Sequence, residues 1–259
     1  MKKLSAFLLG VGLMASSVLA ADPVTSVNAV GFVSVQVPPS GGYALVALNF
    51  DRMDGSSQIS FSELFGTNQL RAAAAPQSAD RVLLYDVPSQ TYYRYAFKAS
   101  DLAFHQIAPV NMWGGASTNP VITSGQGFWL QSGGSFTNTN TVVLAGQVVN
   151  NQAGAVVNIA LGYQILGSQF SSQLDVNTNT FPNAKAASAP QSADQVMLYR
   201  NGGYIRYARK LSDGLWHMIS PVNNWGGVGE TNISVNVGEA FWYKAMTNSI
   251  WSSSQPYSL

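Results

Sequence analysis

The chain has 259 residues, 13 basic against 12 acidic, and charged side chains make up 10% of it where about a quarter is ordinary. So weak a field excludes electrostatic capture of nucleic acid or of an anionic lipid surface. Cysteine is absent, which excludes disulfide staples and thiolate metal centres and leaves core burial to hold the fold.

Lys2 and Lys3, the apolar run Leu4 to Leu13, and Val18-Leu-Ala20 ahead of Ala21-Asp-Pro form the charged, hydrophobic and small-residue parts of a secretory signal peptide, residues 1–20. The apolar run is too short to span a bilayer comfortably, and no later segment has spanning length. The expectation is export to the cell surface or the extracellular space. Without Lys2 and Lys3, 11 of the 13 basic residues remain against 12 acidic ones.

From there the chain contains itself twice. Ala75-Pro-Gln-Ser-Ala-Asp80 recurs as Ala189-Pro-Gln-Ser-Ala-Asp194, and Pro109-Val-Asn-x-Trp-Gly-Gly115 as Pro221-Val-Asn-x-Trp-Gly-Gly227, a collinear repeat. Short apolar runs of period two, punctuated by Gly, Pro and Asn, predict strands in the first copy at Val30 to Val37, Tyr43 to Phe50, Arg81 to Asp86, Tyr92 to Lys98, Ala103 to Ile107 and Gly127 to Gln131. One short helix is expected at Ser60 to Phe65, with Ser60 as cap and Glu63 three residues on. The second copy predicts strands at Gly146 to Val149, Tyr163 to Phe170, Gln195 to Tyr199, Tyr204 to Lys210, Leu215 to Ile219 and Ala240 to Lys244. The expected fold is all-β, two tandem homologous modules (22–140 and 141–259), each a small antiparallel sandwich or barrel. An outer-membrane barrel is the rival, set aside because of the prolines and the duplicated Trp-Gly-Gly loop.

Ionisable residues kept by both copies are Asp80/Asp194, Arg94/Arg206, Lys98/Lys210, Asp101/Asp213 and His105/His217. Ser, Asp and His within six residues, twice, suggest a hydrolytic triad, but Ser-Asp reads as a hairpin turn and no Gly-x-Ser-x-Gly elbow is present. Asp80 and Asp194 follow a Pro-containing turn and are read as backbone caps. The two histidines lack further ligands at workable spacing, and the Asp175 to Asn179 run fails as a calcium loop at Thr180 and Ala186, so no metal or other cofactor is expected.

Strand alternation puts Tyr92, Arg94, Ala96 and Lys98 on one face, and Tyr204, Arg206, Ala208 and Lys210 likewise. Such a face binds a sugar or partner by stacking and charge-assisted hydrogen bonds, or is simply solvated. Phe128-Trp129 and Phe241-Trp242 put one aromatic on each side of a strand, one of each pair in the core. Trp113 and Trp225 sit in loops, as sugar platforms or as lids folded over the core. The candidate ligand-binding residues are therefore Trp113, Trp225, Tyr92, Arg94, Tyr204 and Arg206, and no residue is assigned catalysis.

The run Val27-Asn-Ala-Val-Gly-Phe32, then Gly42-Tyr-x-Leu45, Glu63-Leu-Phe-Gly-Thr-Asn68, Val82-x-Leu-Tyr-Asp86 and Gly125-Gln-Gly-Phe-Trp129 resembles the tandem β-modules of secreted proteins from planctomycete and verrucomicrobial bacteria. The second copy departs from it at Phe181-Pro-Asn. That resemblance implies export and a β-rich fold, and no catalytic residues. The functional expectation is a secreted, non-catalytic β-repeat protein acting by assembly or adhesion, its partner a second copy or an extracellular glycan. The alternatives are a carbohydrate-binding protein using the loop tryptophans, and a polysaccharide hydrolase drawing on Asp80, Asp194, Asp101 and Asp213.

Overall fold

The computed structural model describes residues 29–177 and 180–259; residues 1–20, read above as a signal peptide, and two residues of the Asp175 to Asn179 run lie outside them. In the first module the strands are β1 (Val30–Val37), β2 (Tyr43–Ala47), β3 (Phe50–Asp51), β4 (Gln58–Ser60), β5 (Arg81–Asp86), β6 (Thr91–Lys98), β7 (Ala103–Ala108), β8 (Val121–Thr123), β9 (Gly127–Gln131) and β10 (Asn140–Val148). The helix α1 (Phe61–Phe65) follows β4. In the second they are β11 (Ala155–Ile159), β12 (Gly162–Gly167), β13 (Leu174–Val176), β14 (Gln195–Arg200), β15 (Gly203–Arg209), β16 (Trp216–Ser220), β17 (Ile233–Val235), β18 (Ala240–Ala245) and β19 (Ser249–Ser253).

The fold is all-β and antiparallel, of sandwich type, with no closed barrel among the described residues. Each module is built on one five-stranded sheet, ordered β2-β9-β5-β6-β7 in the first and β12-β18-β14-β15-β16 in the second. Strand for strand the two orders correspond, as the repeat demands. Short pairs, β4 with β8 and β13 with β17, lie with the longer ribbons β1-β10-β3 and β11-β19 over one face of each sheet.

Two of the three apolar cores follow from alternation. Val82, Tyr95, Phe97, Phe128 and Leu130 point from the first sheet into a core closed by Val142 and Leu144 of β10 and by Phe61, Leu64 and Phe65 of α1. Ser60 starts that helix as expected: the Glu63 carboxylate accepts from the Ser60 backbone N–H at 3.2 Å and from its hydroxyl at 2.8 Å. In the second module Val196, Leu198, Phe241 and Tyr243 meet Trp251, and Phe181, without a helix, fills the corresponding place.

The sequence puts the seam near Thr139 to Ala145, in a strand that closes one module and opens the next, and one strand does run through it. A strand was expected to open the second copy at 146–149, yet residues 140–148 form one strand along the whole of β1, from Val30 opposite Gln147 to Val37 opposite Asn140. The last strand of each module pairs with its first, since β19 does the same to β11. Alternation in β10 is equally compatible with closing one module and opening the next; only the long-range partner distinguishes them.

The third core joins the modules. The outer faces of the two five-stranded sheets meet through Leu45, Ala47, Leu83 and Trp129 on one side and Ile165, Met197, Ala240 and Trp242 on the other. Close approach is possible because small residues face each other. A Cβ on Gly167 would stand 2.2 Å from that of Ala47, and one on Gly127 would stand 2.8 Å from that of Ala240. Backbone bonds cross the junction in matched pairs, Ala47 N–H to Gly238 O at 3.0 Å and Gly167 N–H to Gly125 O at 2.9 Å. Asn49, fully buried, adds its amide to Ser168 O and accepts from Gly238 N–H, both at 2.6 Å.

Candidate functional site: two aromatic clefts at the junction

The face carrying Tyr92 and Arg94 is not a freely solvated surface, because the second module covers part of it. Strand pairing lays the side chains in rows. Across the first sheet one row reads Leu45, Trp129, Leu83, Arg94; across the second it reads Ile165, Trp242, Met197, Arg206. Beside each lies a tyrosine pair, Tyr85 opposite Tyr92 and Tyr199 opposite Tyr204.

At the junction the two sets interlock. Tyr85 meets Trp242 edge to face at 4.7 Å between centroids, and Tyr199 meets Trp129 at 4.8 Å. Tyr43 and Tyr163 take the same edge-on stance to their own module's tryptophan, at 5.8 and 6.1 Å. Such T-shaped contacts suit the ring quadrupoles and hold the rings in fixed orientation. Trp129 donates its indole N–H to the Tyr92 hydroxyl at 3.1 Å, and Trp242 is hydrogen-bonded to Tyr204. Burial pushes the Tyr92 hydroxyl up to about 12, opposed by that bond, and raises Tyr204 as well. Both phenols therefore stay neutral.

Two clefts open beside this lattice. The first, of about 260 Å³, is lined by Tyr43, Leu83, Tyr92, Arg94 and Trp129 from one module and Tyr199 and Tyr204 from the other. The second, of about 280 Å³, is lined by Tyr163, Met197, Tyr204, Arg206 and Trp242. Tyr204 belongs to both. Among the described residues neither Arg94 nor Arg206 has an ion pair or hydrogen bond through its guanidinium, and both are exposed. Each cleft thus offers aromatic walls, phenol hydroxyls and an uncommitted five-donor guanidinium. A larger hollow of about 650 Å³ at Asn158, Asn183 and Asn248 has no aromatic or charged lining.

Of the six residues expected to bind ligand, the fold gathers Tyr92, Arg94, Tyr204 and Arg206 into the clefts and leaves Trp113 and Trp225 elsewhere. Each loop tryptophan is half-buried, its indole N–H given to a carbonyl, Ala74 O or Ser188 O, at 3.1 Å in both. Its ring stands edge-on to a buried histidine at 5.7 Å, His105 or His217. Lys98 and Lys210 reach over the rings and donate to the tryptophan carbonyls at 2.7 Å. The Trp-Gly-Gly loop is pinned on every side.

The repeated acids are committed to the same kind of work. His105 Nε2 meets Asp101 at 2.8 Å and His217 meets Asp213 at 2.9 Å, while the Nδ1 atoms face the carbonyls of Met112 and Asn224. The serines of the supposed triad take no part. Asp80 accepts from Arg71, the Gly133 N–H and Asn140. Asp194 accepts from Lys185 N–H, Met246 N–H and the Tyr243 hydroxyl. Asp80 thereby joins three segments to its own, and Asp194 two. Glu239 is held by Arg200 at 2.6 and 2.7 Å.

Sequence reasoning missed Trp129, Trp242, Tyr43, Tyr163 and Tyr199 as cleft residues. The signal was there for the tryptophans: alternation sets Trp129 opposite to Phe128, hence on the Tyr92 face. No group of three or more metal-binding side chains occurs among the described residues, and no helix of them is long and apolar enough to cross a membrane. No family model, curated protein or solved structure matches the chain.

Proposed function

We propose that the chain is an exported, non-catalytic protein of the cell surface or extracellular matrix that acts by adhesion, holding saccharide chains in the two junctional clefts. The observation that carries this reading is the duplicated cleft itself: ring faces that stack on a sugar's C–H surface, flanked by phenol and guanidinium donors that meet its hydroxyls. The leader-like residues 1–20 and the surface of Ser, Thr and Asn support an extracellular setting. Loop tryptophans and repeated carboxylates are accounted for by the fold, which favours Tyr92, Arg94, Tyr204 and Arg206 over them. Because Tyr204 lines both clefts, Tyr204→Ala is expected to abolish retention on polysaccharide gels by affinity electrophoresis, while Trp113→Ala leaves it unchanged. Unaltered retention of Tyr204→Ala, or turnover of the polysaccharide, refutes the reading.

Self-association is a second reading, favoured by the outer face of the β1-β10 ribbon. Among the described residues β1 is an edge strand of eight residues, and Val30, Phe32 and Val143 stand exposed on it or its partner, Phe32 at 74%. An unpaired, apolar edge of that length is a template for a second chain. Concentration-dependent sedimentation that disappears in Phe32→Ser supports this; a wild-type monomer at all concentrations excludes it.

A further inference from the structure

The rows next to those of the tryptophans contain an exchange between modules. Across β2, β9 and β5 the directly opposed residues are Tyr43, Gln131 and Arg81; across β12, β18 and β14 they are Tyr163, Lys244 and Gln195. The glutamine and the cation have traded strands. A position-by-position alignment shows two charge losses, Arg81 against Gln195 and Lys244 against Gln131. In space the cation has moved by one strand, about 5 Å, and each sheet keeps one cation in the row of its outer tyrosine.

The first of those cations lies near a second one. Arg81, Leu83 and Tyr85 share a face by alternation, and Leu83 is opposite Arg94. Arg81 lies close enough to Tyr43 and Arg94 for their charges to act on it, and burial with the nearby Arg94 lowers its pKa against the pull of Tyr43 and Asp80. Its Nε is buried without a hydrogen-bond partner. The neighbouring Asp80 carboxylate is already taken up by Arg71, Gly133 and Asn140. In the second sheet the Lys244 ammonium is 5.9 Å from the Tyr163 ring centroid and donates to Gln191 O at 3.5 Å, and β14 separates it from Arg206. Arg81 and Arg94 are therefore the closer pair: two like charges beside the first cleft, with no carboxylate among its lining residues, repel each other until an anion joins them.

Resting on the saccharide-binding reading above, we propose that the first cleft takes an acidic saccharide, with a carboxylate or sulfate of the ligand set between Arg81 and Arg94. Aromatic walls orient the sugar ring, and the cations select the charged one. Guanidinium groups match the two oxygens of such an anion, and a charge-assisted bond is about twice as strong as a neutral one.

The test uses the mature full-length chain and two matched pairs of probes, oligogalacturonate with its methyl ester and a sulfated galactan with its desulfated form, titrated by calorimetry. The acidic member of at least one pair is expected to bind about tenfold tighter than its neutral partner, and less tightly as salt rises. Which pair responds separates carboxylate from sulfate as the source of the anion. Arg81→Gln removes that preference. Adding Gln131→Lys to that variant puts a cation back across the strand pair, at the place Lys244 has in the second sheet, and restores it, a rescue that loss of structure does not mimic; circular dichroism checks the fold of each. Equal binding of acidic and neutral probes, sensitive to Tyr204→Ala, overturns the charge inference and leaves the saccharide reading standing. Failure to bind any probe overturns both.

Discussion

Among single residues, the aspartate and histidine pairs behind the Trp-Gly-Gly loops make the sharpest prediction. The histidine hydrogen bond, with backbone and Lys98 help, holds the Asp101 carboxyl below its usual 3.8. The Leu215 N–H, then His217, does the same for Asp213. A carboxylate whose folded pKa is depressed contributes stability that is present above its unfolded value and lost as pH falls through the folded one. The contribution is therefore full above about pH 4 and fades below it. Thermal melts of the wild type should show a steeper fall of Tm below that pH than melts of Asp101→Asn with Asp213→Asn, whose curve is flatter. Parallel curves would show that the pairs carry no linkage. The sequence displayed these residues plainly, as a spacing of four between Asp and His repeated twice, but spacing alone could not say whether a serine or a tryptophan completes the set. The answer depends on the loop returning over the strand, a contact set by the fold.

Element by element, legibility tracked the locality of the interaction. β1, β5 and β9 begin and end where period two and the flanking Gly and Pro put them, and α1 starts at its cap because Ser60 and Glu63 are three residues apart. The expected strand at 43–50 breaks instead after Ala47, where the chain leaves β2 to bond Gly238 and Gln126 before β3 joins β10. The strands β4, β8, β13 and β17 are three residues long and lack enough alternation to be read. Among the described residues the helix of the first module has no counterpart in the second, where Phe181 supplies the apolar bulk that Phe61 and Phe65 supply in the first. Four of the six expected binding residues could be grouped in advance because they alternate in pairs, Tyr92 with Arg94 on β6 and Tyr204 with Arg206 on β15. Their neighbours from other strands, Trp129 on β9 and Tyr43 on β2, needed the register. Tyr199 in the first cleft needed the other module.

For the whole molecule, duplication has a consequence that neither copy has alone. A five-stranded sheet with a ribbon on one side leaves its other face bare, and here that face carries Trp129, Leu83 and Tyr92, or Trp242, Met197 and Tyr204. Laying the two bare faces together buries them, and the aromatic clefts are the margins of that contact where the sheets diverge. The site therefore depends on the junction, and the junction on small residues at its closest approach. In Gly167→Val the new Cβ meets that of Ala47 at 2.2 Å, backed by the sheet on both sides, so the sheets must separate. Overpacking of this kind costs about 1–3 kcal/mol. The wild type is expected to unfold in denaturant as one transition, with tryptophan fluorescence and far-ultraviolet circular dichroism superimposed, since two of the six tryptophans, Trp129 and Trp242, report the junction, the other four their own modules, and the ellipticity both modules. In Gly167→Val the share of the fluorescence change that belongs to Trp129 and Trp242 should come at lower denaturant, ahead of the ellipticity, and saccharide retention should weaken at both clefts together although no lining residue has changed. Superimposed transitions in the variant, or loss at one cleft only, would mean that the modules are held together by something other than this face.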